Sequence, residues 1–302
     1  MPENIISSHH FTASETGSDS GPHIVVFGGL HGNEICGMEA IRDLMTELRS
    51  GQLTLQSGCL TLVPVANPKA AEQGVRFIDH NLNRIFHHAC LDQDSQGYEH
   101  TLLPELLTLA KKADILIDLH SMTDNAPPFA LIAPEDDQHI ILAEAANLNH
   151  IMVQSTAIIA DHHFTTMDFG LYHDIESLSV ECGQHDDPAA ITVAYEVIRN
   201  ICDHFNVIAY PEKRSPVKPA FYHVQSVVRR EAPGRFVRDW QSFDFVERGM
   251  PLALYENGRA VQADTTGFIF MPNEATPLNE EWLTIIQQIE KPHYARPLSH
   301  HR

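Results

Sequence analysis

Basic side chains are scarce in this chain. Twenty Lys and Arg stand against 40 Asp and Glu, a formal net charge of −20 at pH 7. An acidic excess of that size repels nucleic acid and anionic membranes at long range, so neither is expected as a partner. Any anion must be met locally, by a few arginines. Cysteine is sparse too: five residues, an odd number, with no C-x-x-C pair. That speaks against a disulfide framework and fits a reducing compartment, so a cytoplasmic location is expected. No apolar run approaches the ~18 residues of a membrane span. Residues 1–21 lack the basic and apolar regions of a secretory signal and read as a flexible leader. Oligomeric state is not legible, and a homo-oligomer stays open.

Histidine, by contrast, is abundant, with 20 residues and doublets at His9-His10, His87-His88, His162-His163 and His300-His301. Most read as solvated surface side chains. The 302 residues suffice for one large domain or two unequal ones. Up to residue 210, short apolar stretches alternate with helical ones. Strands are expected at 24–27, 60–65, 115–120, 129–133 and 177–183, and helices at 36–49, 101–112, 138–148 and 188–205. Residues 152–153 and 158–159 read as extended. Such alternation predicts an α/β fold with a mostly parallel sheet covered on both faces. Residues 69–97 read as a long polar loop, a length that points to a function of its own. After a Pro- and charge-rich linker near 211–219, short β-type runs separated by turn signals predict a smaller β-rich domain over 211–302.

Ligands of such sheets bind beyond the carboxyl ends of the strands. Three chemically loaded stretches fall there. Gly28-Gly29-Leu30-His31-Gly32-Asn33-Glu34 places an imidazole and a carboxylate three residues apart in a Gly-rich turn. Those donors suit one side of a zinc shell, although cobalt or manganese could substitute. Asp118-Leu119-His120 ends a buried strand, making His120 the best third ligand. Asp118 lies on the same strand face, where acids commonly orient ligand histidines. Glu181, before Cys182-Gly183, is a candidate base for metal-assisted hydrolysis. Arg76, Asn83 and Arg84 lie in the long loop, where guanidiniums can clamp a carboxylate or oppose negative charge developing on a carbonyl oxygen.

Taken together, these motifs resemble the succinylglutamate desuccinylase/aspartoacylase family, relatives of the zinc carboxypeptidases. The matching stretches are 28–34, Asn67-Pro68, Arg76-Phe77-Ile78-Asp79, Asn81-Leu82-Asn83-Arg84-Ile85-Phe86, Asp118-Leu119-His120 and Val180-Glu181-Cys182-Gly183. The resemblance implies a zinc carboxypeptidase-type fold with a catalytic domain over 22–210. It implies one zinc per chain on His31, Glu34 and His120, with Glu181 as base and proton shuttle. Arg76 would polarise the scissile carbonyl, and Asn83 and Arg84 would hold the α-carboxylate. The implied reaction is hydrolysis of a small N-acyl amino acid by a metal-activated water. Residues 121–125 are expected on the acyl side.

The chain departs from the family pattern in one respect. Aspartoacylases carry an arginine ten residues before the catalytic glutamate; here that offset falls on Leu171, and no arginine occurs between Arg84 and Arg199. A second acidic group on the substrate therefore lacks its expected partner, which leaves room for a neutral or differently charged amino-acid moiety. Two other functions share the scaffold: a zinc carboxypeptidase acting on peptides, and a non-catalytic metal- or ligand-binding relative.

Overall fold

The run Ile24-Val25-Val26-Phe27 is apolar at every position because both of its faces are covered. In the computed structural model, Ile24 and Val26 pack into one hydrophobic cluster, and Val25 and Phe27 into another on the opposite face. Side chains alternate along a strand, so a strand between two layers of helix needs apolar residues of both parities.

Residues 5–13, 18–91, 97–133, 137–153, 164–212 and 214–293 are described. Strands β1 (His9–Thr12) and β2 (Ser18–Gly28) lead into helix α1 (Ile35–Ser50). Then come β3 (Ser57–Val63), α2 (Pro68–Gln73), α3 (Leu82–Ile85), a 3-10 turn at His88–Cys90 and α4 (Tyr98–Ala110). They are followed by β4 (Ile115–Met122), β5 (Phe129–Ile132), α5 (Asp137–Ala145), β6 (His150–Val153), α6 (Thr166–His173), β7 (Glu176–Gln184) and α7 (Ala189–His204). The remaining strands are β8 (Ala220–Arg229), β9 (Gly234–Phe236), β10 (Phe245–Val246), β11 (Pro251–Tyr255), β12 (Ala260–Gln262), β13 (Gly267–Phe270) and β14 (Glu281–Ile289).

Among the described residues, eleven strands form one sheet in the order β1-β3-β2-β4-β7-β5-β6-β8-β14-β13-β10. Its centre, β3-β2-β4-β7, is parallel throughout. β5 runs antiparallel to β7, whereas β6 and β8 continue parallel to β5. α1 and α7 cover one face through Ala40, Ile41, Leu44, Val197, Ile198 and Ile201. α4 covers the other through Leu102, Leu103, Leu106 and Leu107, joined by Phe169 of α6.

The mostly parallel α/β sheet matches the expected fold class. Several elements were not legible in the sequence. β1, within the expected leader, pairs antiparallel with β3. The expected loop at 69–97 contains α2, α3 and the 3-10 turn. The boundary expected after residue 210 leads into β8, which hydrogen-bonds to β6, so the C-terminal strands extend the same sheet. β9, β11 and β12 form a separate three-stranded sheet. β14 is a further strand beyond those expected; a register shift between Ile285 and Ile286 breaks its alternation. Ile158-Ile159 and the doublets His162-His163 and His300-His301 lie outside the described residues. Among the described residues, no helix is long and apolar enough to cross a membrane.

Candidate active site

The parity of two strands sets the site. On β4, Ile115, Ile117 and Leu119 enter the α1/α7 core, which turns Leu116, Asp118 and His120 to the α4/α6 side. On β7, Leu178, Val180 and Cys182 enter the α1/α7 core, which leaves Glu181 on the same side as His120. The two are paired across the parallel ladder. His31 and Glu34 arrive from the turn between β2 and α1. Gly29 holds φ +60° there, and a side chain at Gly32 would meet the Ala70 carbonyl carbon at 2.1 Å. Both positions therefore call for glycine. Glu34 occupies the N-cap position of α1 without capping it; its carboxylate turns to the histidines instead.

Donor atoms of His31, Glu34 and His120 all lie within 4.8 Å of one another, and the three residues are buried. His31 Nδ1 is 2.9 Å from Glu34 Oε1, and His120 Nδ1 is 2.8 Å from Glu34 Oε2. The far nitrogens are held separately. His31 Nε2 lies 2.9 Å from Asn81 Oδ1, and His120 Nε2 lies 2.7 Å from Asp118 Oδ2. Two Nδ1 atoms and a carboxylate thus converge, while each outer nitrogen faces an acceptor that fixes its tautomer. That arrangement suits imidazoles meant to ligate through Nδ1, and the donor set fits zinc.

The charges of these side chains are tightly balanced. Burial alone would lower the His120 pKa, but Asp118 and Glu34 hold it well above the ordinary value. Burial would likewise raise Glu34, yet His31 and His120 hold it well below the usual carboxylate range. For His31, burial outweighs its carboxylate neighbour and the pKa falls. Glu181 is pushed up from 4.5 to about 8, chiefly by burial, with Glu34 adding to the rise against the opposing His120 and Arg76. The residue is half-buried as a whole, but its Oε2 is covered and has no hydrogen-bond partner among the described residues.

The loop residues reach the same place. Arg76 Nη1 donates to Glu34 Oε1 at 2.7 Å. Asn83 Nδ2 lies 3.3 Å from His120 Nε2. Arg84 turns its guanidinium back to the Asn83 carbonyl, 2.7 Å away, and is exposed. Beyond the strand ends, residues 123–125 and Gln184 face Phe236, Arg238, Trp240 and Asn273 across a cavity of about 840 Å³. There the Ser242 hydroxyl donates to Asp124.

Residues 20–204 match the family described as the succinylglutamate desuccinylase/aspartoacylase catalytic domain. The chain belongs to this family. Over 111 residues it is 33% identical to the succinylglutamate desuccinylase of Chromobacterium violaceum, covering 35% of this chain and 32% of that protein. Over 161 residues it is 30% identical to the N-acyl-aromatic-L-amino acid amidohydrolase (carboxylate-forming) of Xenopus laevis, covering 44% and 51%. The chain thus spans about half or less of the length of these curated relatives. The crystal structure of a succinylglutamate desuccinylase/aspartoacylase from Rhodobacter sphaeroides superposes with a TM-score of 0.73 at 19% identity, over 91% of this chain and 87% of that one. The product-bound ectoine utilization protein EutE (DoeB) from Ruegeria pomeroyi gives a TM-score of 0.73 at 19% identity, over 90% and 87%. At such identities the likeness speaks for the fold.

Several residues of the candidate site are not legible in the sequence. Asn81 opens the 81–86 motif, yet nothing in its identity says that it accepts from His31. Thr166, the first residue of α6, donates its hydroxyl to Asp118 Oδ2 at 2.8 Å and its N–H to Asn83 Oδ1 at 3.0 Å. The signal for that helix was present: Thr165 and Asp168 form a capping box.

Proposed function

We propose that this chain is a zinc-dependent amidohydrolase that removes the acyl group from a small N-acyl amino acid. The carrying observation is the convergence of two buried histidine Nδ1 atoms and one carboxylate, beside a glutamate whose buried Oε2 has no hydrogen-bond partner among the described residues, at the strand ends of a succinylglutamate desuccinylase/aspartoacylase-family sheet. His31, Glu34 and His120 would hold the metal. When bound, zinc supplies Lewis acidity toward water and toward a carbonyl oxygen.

The chain's own groups supply the rest. Glu181 takes a proton from the attacking water and returns it to the leaving amine, so one carboxylate serves as base and then as acid. Burial raises the pKa of its carboxyl, which favours return of the proton, and a bound cation would oppose that rise, which favours its uptake. Arg76, already beside Glu34, opposes the charge that develops on the carbonyl oxygen as the tetrahedral carbon forms. Asn83 and Arg84 hold the substrate α-carboxylate. Asp118 and Asn81 keep the two histidines in the tautomer that leaves Nδ1 free for the metal.

Small substrates are favoured over peptides because the C-terminal segment reaches across the strand ends, where the Ser242 hydroxyl bonds to Asp124. The test is free-amine release by the zinc-loaded chain from N-acetyl, N-succinyl and N-formyl amino acids, with a dipeptide panel alongside. Turnover of one acyl-amino-acid class, lost with a chelator and regained with zinc, is expected. Release from dipeptides alone would favour a carboxypeptidase, and stoichiometric zinc with no hydrolysis at all would point to a non-catalytic relative.

A further inference from the structure

One buried acid takes no part in the proposed chemistry. Glu99, in the first turn of α4, is fully enclosed. Its partners among the described residues are N–H groups rather than a cation. Oε1 accepts from Asn67 Nδ2 at 3.2 Å and from the Ile78 N–H at 2.6 Å; Oε2 accepts from the N–H groups of Asp79 and His80, each at 3.0 Å. Four donors fill the lone-pair sites of an ionised carboxylate, and three of them are consecutive backbone amides, a concavity suited to an anion. These N–H groups outweigh burial and lower the Glu99 pKa.

The segment that Glu99 grips carries site residues at both ends. Arg76 stands two residues before Ile78, and Asn81 directly follows His80. Arg76 donates to Glu34, and Asn81 faces the outer nitrogen of His31. The Arg76 carbonyl also accepts from Gly32 N–H at 3.1 Å, between His31 and Glu34. Asn67 ties the same carboxylate to the β2 turn, since its N–H donates to the Gly29 carbonyl at 2.9 Å. Residues 78–80 lie in none of the described helices or strands; their backbone N–H groups are held by this carboxylate, and the Asp79 side chain accepts in turn from the Tyr98 N–H of the same helix at 2.7 Å.

We propose that Glu99 is a positioning residue for the metal centre: it fixes the backbone of 78–80 and thereby sets Arg76 against Glu34 and Asn81 against His31. The inference rests on reading His31, Glu34 and His120 as the metal site, not on the identity of the substrate. Glutamine at 99 would keep the shape but not the function. Its single oxygen accepts from two donors, and its NH₂ group would point at the remaining N–H groups.

The test uses the full chain with zinc alone as probe, by competition with a chromophoric chelator, and the absorption spectrum of the cobalt-loaded protein. Glu99→Gln is expected to weaken zinc binding about tenfold or more and to change the cobalt spectrum. Leu103→Ala, which removes core packing from the same helix, is the control. It should lower the unfolding temperature at least as much while leaving zinc affinity within about twofold. Glu99→Asp keeps the charge but falls one methylene short of its four partners, and should lose affinity to an intermediate degree even if Glu99→Gln does not fold. Wild-type zinc affinity and cobalt spectrum in either folded Glu99 variant would overturn the proposal. So would equal affinity losses in Leu103→Ala. Because no substrate is present, the outcome is independent of whether the deacylase reading survives.

Discussion

The site has two halves that are held in place differently. His120, Asp118 and Glu181 lie on β4 and β7, adjacent strands of a parallel sheet buried on both faces. Their direction follows from strand parity and their spacing from ladder register; many backbone hydrogen bonds would have to break to move them. Arg76, Asn81, Asn83 and Arg84 lie on a segment of short helices and turns. That segment is tied down by a few buried polar contacts, from Glu99, which Asn67 holds in turn, and from Thr166. The sheet half should therefore tolerate polar substitutions without moving, whereas the loop half should shift when one anchor is lost.

The largest expected effect comes from the sheet half. Glu181→Gln should lower kcat about a thousandfold while zinc content stays at one per chain, since the amide cannot take the proton. Steady-state kinetics with metal analysis on the same sample checks this, and near-normal turnover would remove Glu181 from the role of base.

Next in size is Asp118→Asn. The carboxylate opposite His120 Nε2 becomes neutral, and zinc affinity should fall about tenfold. Chelator competition measures it, and circular dichroism should report an unchanged fold. A Glu99→Gln chain that loses affinity together with the order of 76–84, beside an Asp118→Asn chain that loses affinity alone, would sharpen the contrast between the halves.

A pH experiment comes third. The Glu181 pKa is raised in the folded chain from 4.5 to about 8. Its neutral form therefore contributes stability that is fully present below pH 4.5 and lost as the pH climbs through about 8. Glu181→Gln cannot ionise. The metal-free variant should match the wild type near pH 4.5 and exceed it by about 2 kcal/mol above pH 8, after discounting for partial exposure. Urea unfolding across that range would show it. A constant difference at every pH would mean that Glu181 ionises freely.

The smallest effect is expected at Thr166→Val. It removes one hydroxyl bond to Asp118 and should cost about 1 kcal/mol of stability, with little change in zinc affinity. A loss of zinc comparable to that of Asp118→Asn would show that α6, rather than the sheet, holds Asp118.

The same division explains what could be read in the sequence. Strand ends announce themselves: an apolar run that stops at Asp118-Leu119-His120 or at Glu181 fixes the element and the end of the sheet it reaches, and period-two parity fixes the face. His31 and Glu34 were legible because Gly29 and Gly32 mark a turn that only glycine allows. On the loop half, motif residues were visible but their contacts were not. Asn81 could as well have been a plain helix cap, a role it also plays toward the Asn83 N–H. Glu99 left no mark, because an acid in the first turn of a helix is common for reasons of the helix dipole alone. Whether it meets solvent or three backbone N–H groups depends on tertiary structure. β14 and α6 were missed for local reasons, a bulge in one and an unread capping box in the other.

In the proposed site a turn and a strand converge on one metal through two imidazoles and a carboxylate. Zinc K-edge X-ray absorption on the chain loaded with one zinc tests it most directly. The expected result is a coordination sphere of nitrogen and oxygen donors only, with two histidines. A sulfur ligand, for instance from Cys36, whose Sγ lies 3.3 Å from the His120 carbonyl, or a set of three or more imidazoles, would contradict it.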